Sequence, residues 1–226
     1  MDNLFGKFDL ANKKHIMIDI ETLSTKANAV IYEIAAIEFR LNSDDDPING
    51  NIVFADKIID SQINIAGQSK NRDISSSTMA FHFDHNIKNF VQFIVNMHTC
   101  NDLSHVLKTL AYELNRYSSE DTIVWTNSPI FDLVILRNAY ESEGIEIPAI
   151  LDSHWNQADV RFITQFLSKE DKSTIFRQAT SVLMNNRVEV SNMHRGITMS
   201  AHRALHDCLV QALIVKEYFK SRIGNA

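Results

Sequence analysis

The sequence predicts a mixed α/β domain, and three observations carry that prediction. Three strand-like runs, at residues 14–21, 29–40 and 51–60, come first. A short apolar run, DTIVWTN at 121–127, follows a helical segment at 101–117. Apolar residues at helical spacing then dominate the rest of the chain. Strands interrupted by helices give a sheet that buries its faces under those helices. The chain has 226 residues, 45% of them hydrophobic, which suits a single domain over 1–226 with its core at about 14–221.

In the first strand Ile16, Met17, Ile18 and Ile20 are apolar, while Asp19 and Glu21 alternate with the isoleucines. After the second strand, SDDDP (43–47) and Asn49-Gly50 read as a hairpin turn into the third. Asp44, Asp45 and Asp46 are consecutive on that turn and rarely converge on one ion, so a solvated acidic loop is expected. Residues 61–98 are polar and then rich in Phe and His, with no period that assigns them. Leu103, Val106, Leu107, Leu110 and Leu114 share a helix face within 101–117. Pro129 opens a helix that ends at Gly144. Residues 156–169 read as helical, with Val160, Ile163, Phe166 and Leu167 on one face. The last helix, about 200–221, carries Ala204, Leu205, Cys208, Leu209, Ala212, Leu213 and Phe219 as its stripe.

No run of about 18 apolar residues exists to cross a membrane. The opening MDNLFGKFDLANKK lacks the order of a signal peptide. Cys100 and Cys208 read as reduced core residues, so a cytoplasmic location is expected (the host cytoplasm if phage-encoded). The net charge of −6 argues against gripping long duplex DNA by its phosphates. A nucleic-acid ligand would be a short stretch, with metal ions supplying positive charge.

Asp19 and Glu21 are two apart on a strand and share a face. Burying two like charges is unfavourable. A lone D-x-E more often lies exposed at a strand end or pairs with Lys or Arg; the alternative is a divalent cation held by hard oxygens. Asp132, in WTNSPIFDL, sits in the first turn of a helix, where an acid commonly complements the macrodipole. Asp207, in HRALHDCLVQA, follows His202 and His206 on a helix; singly, these residue types are most often surface or packed.

Together, D-x-E at a strand end, N-x-x-x-F-D at a later strand–helix junction and H-x-A-x-x-D near the C-terminus resemble the DEDD superfamily of 3′→5′ exonucleases. The His-containing branch (DEDDh) includes the proofreading subunit of bacterial DNA polymerase, RNase T and oligoribonuclease. The resemblance spans roughly residues 15 to 220 and implies an RNase H-like mixed sheet flanked by helices. The Tyr branch places its base four residues before the last Asp, where this chain has Arg203, so His202 fits the general-base slot rather than His206. DIETLSTKANAVIYEIAAIEF, SSSTMAFHF and WNQADVRFI are also similar to the phage exonuclease A (DexA) group and a related small exoribonuclease branch. The aromatic pair of that group becomes Phe81 and His82 here.

The resemblance implies hydrolysis assisted by two Mg²⁺ or Mn²⁺ ions. Asp19 would bridge them, Glu21 and Asp207 would complete the first site, and Asp132 would support the second. His202 would take the proton of the attacking water, a task suited to a pKa near 6.5. Thr22 and Leu23 would face the terminal nucleotide, with Leu23 packing on its base, and Asn127 would lie near the phosphate. Phe81 either stacks a base or packs in the core; Arg161 either meets phosphate, supports Asp132 or is a surface residue. The expected substrate is the 3′ end of single-stranded nucleic acid, DNA favoured over RNA, with release of nucleoside 5′-monophosphates. The alternatives are an exoribonuclease of short or single-stranded RNA, and a catalytically silent nucleic-acid-binding module. A monomer or a homodimer is expected, the apolar C-terminal helix offering surface for the latter, and no membrane partner.

Overall fold

The computed structural model describes residues 10–41, 55–68, 70–184 and 203–223. Its sheet is built from β1 (Lys14–Thr22), β2 (Ile31–Phe39), β3 (Ala55–Gln62), β4 (Thr122–Thr126) and β5 (Gln157–Asp159). The strand order is β3-β2-β1-β4-β5. The β1–β2 and β2–β3 pairs are antiparallel, and the β1–β4 and β4–β5 pairs are parallel. The helices are α1 (Ser76–His85), α2 (Ile87–Asn96), α3 (Leu103–Leu114), α4 (Pro129–Ser142), α5 (Ala149–Asp152), α6 (Val160–Gln165), α7 (Lys169–Met184) and α8 (Ala204–Ile223). The expected acidic turn at Asp44–Asp46 and the residue His202 lie outside the described residues.

β1 is the central strand and is buried on both faces, which explains why its apolar residues do not strictly alternate with polar ones. Ile16, Ile18 and Ile20 pack with Leu107 and Leu110 of α3 and Leu133 and Leu136 of α4. Met17 points the other way, to Trp125 and to Leu205, Cys208 and Leu209 of α8. Asp19 and Glu21 continue the Met17 row, so the period of two directs both toward α8. Ile18 is fully buried. Ile18→Ala is therefore expected to destabilise the fold by about 2–5 kcal/mol, read as a lower urea midpoint.

One buried histidine belongs to this scaffold rather than to a site. Trp125 Nε1 donates to His15 Nδ1 at 3.0 Å, and His15 Nε2 donates to the Leu10 carbonyl at 2.9 Å. Both ring nitrogens are thus used by a neutral imidazole, and burial lowers its pKa.

One unassigned stretch gains structure and three sequence expectations change. Residues 61–98 form the end of β3, then α1 and α2, with Phe90 and Phe93 packing under Tyr32 and Leu23. Residues 156–169 are not one helix. Gln157–Asp159 pairs with β4 as an edge strand, and the Asp159 carboxylate then caps α6 by accepting from the N–H of Arg161 at 2.7 Å. Phe166, expected on the buried face, is 58% exposed. Cys208 is a core residue, but Cys100 is only half-buried; both are free thiols. The apolar stripe of α8 is spent within the chain, packed against β1 and β2, and is not a free surface for a second copy. Among the described residues no helix is long and apolar enough to cross a membrane.

Candidate active site

The C-terminal end of β1 and the first turns of α8 bring three acids together. One carboxylate oxygen from each of Asp19, Glu21 and Asp207 lies within 4.8 Å of the other two. Asp19 is nearly buried, whereas Glu21 and Asp207 are partly open. Burial raises the Asp19 pKa well above the usual carboxylate range, and the charges of Asp207, Asp132 and Glu21 add to it. Glu21 is raised for the same reasons, burial first and then Asp207 and Glu33. Like charges held this close without a bound cation repel. The donor set, all hard carboxylate oxygens at short mutual distance, fits Mg²⁺ or Mn²⁺ better than a soft metal.

Asp132 stands beside this group rather than inside it. It lies in the first turn of α4, directly after β4, and its Oδ2 accepts from the Ser128 backbone N–H at 3.1 Å. Burial pushes its pKa up to about 7, against that bond and the positive charge of Arg161. Arg161 is exposed at the start of α6, and Asn127 is half-buried at the end of β4. Their placement on this side of the sheet follows from the β4–β5 pairing and the short turns into α4 and α6.

A cleft of about 310 Å³ opens next to Glu21, lined among others by Thr22, Ser77, Thr78, Phe81 and Phe131. Phe81 is 42% exposed and stacks on His85 at 4.6 Å, so it is not a core residue. Leu23 departs from expectation. Its side chain is 1% exposed and packs inward with Val30, Tyr32, Phe90 and Phe93. Its N–H donates to the Val30 carbonyl and its own carbonyl accepts from Ser75, so no part of Leu23 is free to face a nucleotide. Thr22 does line the cleft, but its carbonyl accepts from His82 Nε2 at 2.9 Å and its hydroxyl donates to Ser24.

The two histidines before Asp207 are separated by the boundary of the described residues, only His206 falling inside. His206 is buried and its Nδ1 donates to Asp207 Oδ1 at 3.0 Å. It braces that carboxylate.

Sequence reasoning gave no role beside the acids to Tyr32, His82, Glu33, Arg203 or Gln211. The Tyr32 hydroxyl donates to Glu21 Oε2 at 3.3 Å, and His82 Nδ1 lies 3.5 Å from the same hydroxyl. Glu33, opposite Glu21 in the β1–β2 ladder, is fully buried and accepts from Arg203 Nε at 2.7 Å. Burial pushes Glu33 up to about 7 against the pull of Arg203. Gln211, one turn beyond Asp207 on α8, donates from Nε2 to Asp19 Oδ1 at 2.9 Å. Two of these left a trace in the sequence: Glu33 is an acid inside the apolar run IYEIAAIEF, and Gln211 interrupts an apolar helix face four residues after Asp207.

Known proteins share this fold. Among solved structures, cell-death related nuclease 4 (CRN-4) superposes with a TM-score of 0.53 at 13% identity, covering 94% of this chain and 65% of that one. The zinc-bound E. coli ExoI–ssDNA complex gives 0.53 at 12% identity, over 95% of this chain and 42% of that one. The nuclease domain of 3′hExo, a DEDDh family member bound to rAMP, gives 0.50 at 8% identity, over 95% and 94%. The chain thus spans less than two-thirds of the length of CRN-4 and of ExoI. At these identities the likeness is one of fold, the RNase H-like mixed sheet of DEDDh exonucleases. No curated protein matches the sequence. A family model described as "3'-5' exoribonuclease Rv2179c-like domain" matches residues 14–219, nearly the whole described fold, and the chain belongs to that family.

Proposed function

We propose that this protein hydrolyses single-stranded RNA from its 3′ end, releasing nucleoside 5′-monophosphates. The observation that carries the reading is the Asp19–Glu21–Asp207 carboxylate group, whose Glu21 also lines an open cleft, in a chain matched by an exoribonuclease family over 14–219. The sequence alone favoured DNA. Two considerations favour RNA: the family's description, and the hydroxyl side chains of Thr25, Ser77 and Thr78 along the cleft, which suit a ribose 2′-hydroxyl.

Asp19, Glu21 and Asp207 would hold the divalent ion, and Asp132 would support a second. Bound Mg²⁺ or Mn²⁺ neutralises charge on the phosphate and on the departing 3′-oxygen. The chain's own residues do the rest. Phe81 offers a ring for the terminal base, a sequence-tolerant contact. His202 takes a proton as the water oxygen attacks phosphorus; the P–O3′ bond breaks, the shortened strand keeps its 3′-oxygen, which regains a proton, and the freed nucleotide keeps the phosphate. Arg161, whose charge acts on Asp132, and Asn127 would meet phosphate oxygens. Glu21, Thr22 and the first turn of α1 would enclose the terminal sugar.

The test is a 5′-labelled oligonucleotide, as RNA and as DNA of the same sequence, with Mg²⁺, Mn²⁺ or EDTA. A metal-dependent ladder from the 3′ end is expected, with RNA faster by about tenfold or more, the worth of one hydrogen bond to the 2′-hydroxyl. Faster DNA cleavage would restore the DNA reading, and no shortening of either strand would favour a silent binding module. In the same assay His202→Ala should slow hydrolysis by about 10²–10⁴-fold. His206 is too buried to meet the attacking water, so His206→Ala should be the milder change. The reverse order would move the base to His206.

A further inference from the structure

We infer that Gln211 is a positioning residue that fixes the Asp19 carboxylate for cation binding, an inference that rests on the function proposed above. Asp207 and Gln211 are one helical turn apart, so α8 presents both to the same strand. The Gln211 amide reaches across to β1 and donates to Asp19 Oδ1 at 2.9 Å. Asp19 is the acid on which the repulsion of Asp207, Asp132 and Glu21 converges. A carboxylate in that field, with its terminal torsion free, would swing away from its neighbours. One fixed oxygen removes that freedom and leaves the other for the ion.

The chemistry of the donor matters. A Lys or Arg in place of Gln211 would orient Asp19 equally well, but its charge would occupy the field a cation needs. A neutral amide orients without competing. This is the usual logic of groups behind a metal ligand.

Gln211 also works against the metal-free fold. It is 8% exposed, and its Oε1 has no hydrogen-bond partner among the described residues. Its neighbours along the helix, Cys208, Ala212 and Val215, are buried and apolar. A buried amide oxygen without a partner is unfavourable, and an apolar side chain of similar size would suit this position better for packing alone. The bond to Asp19 is what the amide supplies that an apolar residue does not.

The experiment compares wild type with Gln211→Leu and Gln211→Met, two apolar replacements of different shape. Three quantities are read: Mn²⁺ affinity by calorimetry without nucleic acid, the Mn²⁺ concentration for half-maximal RNA cleavage, and the melting temperature in EDTA. Both variants should bind Mn²⁺ about 10–100-fold more weakly, with half-maximal cleavage shifted in step and the EDTA melting temperature unchanged or higher. Ile18→Val, whose side chain packs on the face of β1 opposite the acids, gives the affinity loss due to destabilisation alone. Variants that bind Mn²⁺ within about twofold of wild type, or lose no more than Ile18→Val, overturn the inference while wild-type cleavage leaves the proposed function standing. A wild-type protein that neither binds Mn²⁺ nor shortens RNA overturns both.

Discussion

Asp19→Asn is expected to reduce metal-dependent hydrolysis by about 10³-fold or more while raising the melting temperature of the metal-free protein. The substitution keeps the shape and leaves an oxygen for Gln211 Nε2 to bond. What it removes is the charge at the centre of the acid group. A cation's stabilisation of transition-state charge is worth several kcal/mol, and each 1.36 kcal/mol is tenfold in rate. The same charge is a liability without the ion, because burial and three neighbouring carboxylates all disfavour it. Relief of about 1–2 kcal/mol would read as roughly 2–8 °C in a chain of this size. Opposite signs in the two measurements separate a site residue from a fold residue. Cleavage within tenfold of wild type would remove Asp19 from the chemistry, and a lower melting temperature would show that the charge is already compensated.

The parts of this site that were legible in the sequence are those fixed by local geometry. The period of two put Asp19 and Glu21 on one face of a strand whose other members are apolar. Only the resemblance joined these acids into one site; by themselves the strand-then-proline pattern put Asp132 at a strand–helix junction and the C-terminal stripe put Asp207 on a helix. Each needs only a few consecutive residues. The illegible parts depend on long-range pairing. Tyr32 meets His82 across fifty positions of sequence, and Gln211 meets Asp19 from the opposite end of the chain. The resemblance implied that Leu23 faces the nucleotide, yet the aromatic cluster of α2 draws it inward. α1 carried no readable period because, among its residues, only His82 is buried. β5 is three residues long, shorter than any periodicity can register, and it exists because β4 offers it an open edge.

The metal-free protein should be less stable at about pH 8 than at about pH 5.5, and Mg²⁺ or Mn²⁺ should reverse that difference. Asp132 and Glu33 are pushed up to about 7, and Asp19 and Glu21 are also raised. In the unfolded chain these groups ionise near their ordinary values, about 4. Between those two ranges the native state binds more protons than the unfolded state, so stability falls as pH rises through the native values. His15 acts in the opposite direction: its lowered pKa means that its contribution is present above about 6.5 and fades below it. The two trends place the EDTA optimum in mildly acid solution. At the alkaline end a cation can take the place of the missing protons; at a hundred times its dissociation constant it would contribute about 2.7 kcal/mol. At about pH 5.5 protons compete for the same oxygens, so the cation's effect should shrink. Melting curves across this range, with EDTA and with saturating Mn²⁺, read both trends at once. If the EDTA curves rise steadily toward pH 8, the acids are not held protonated by burial and mutual repulsion, and the electrostatic account of the site fails at its base.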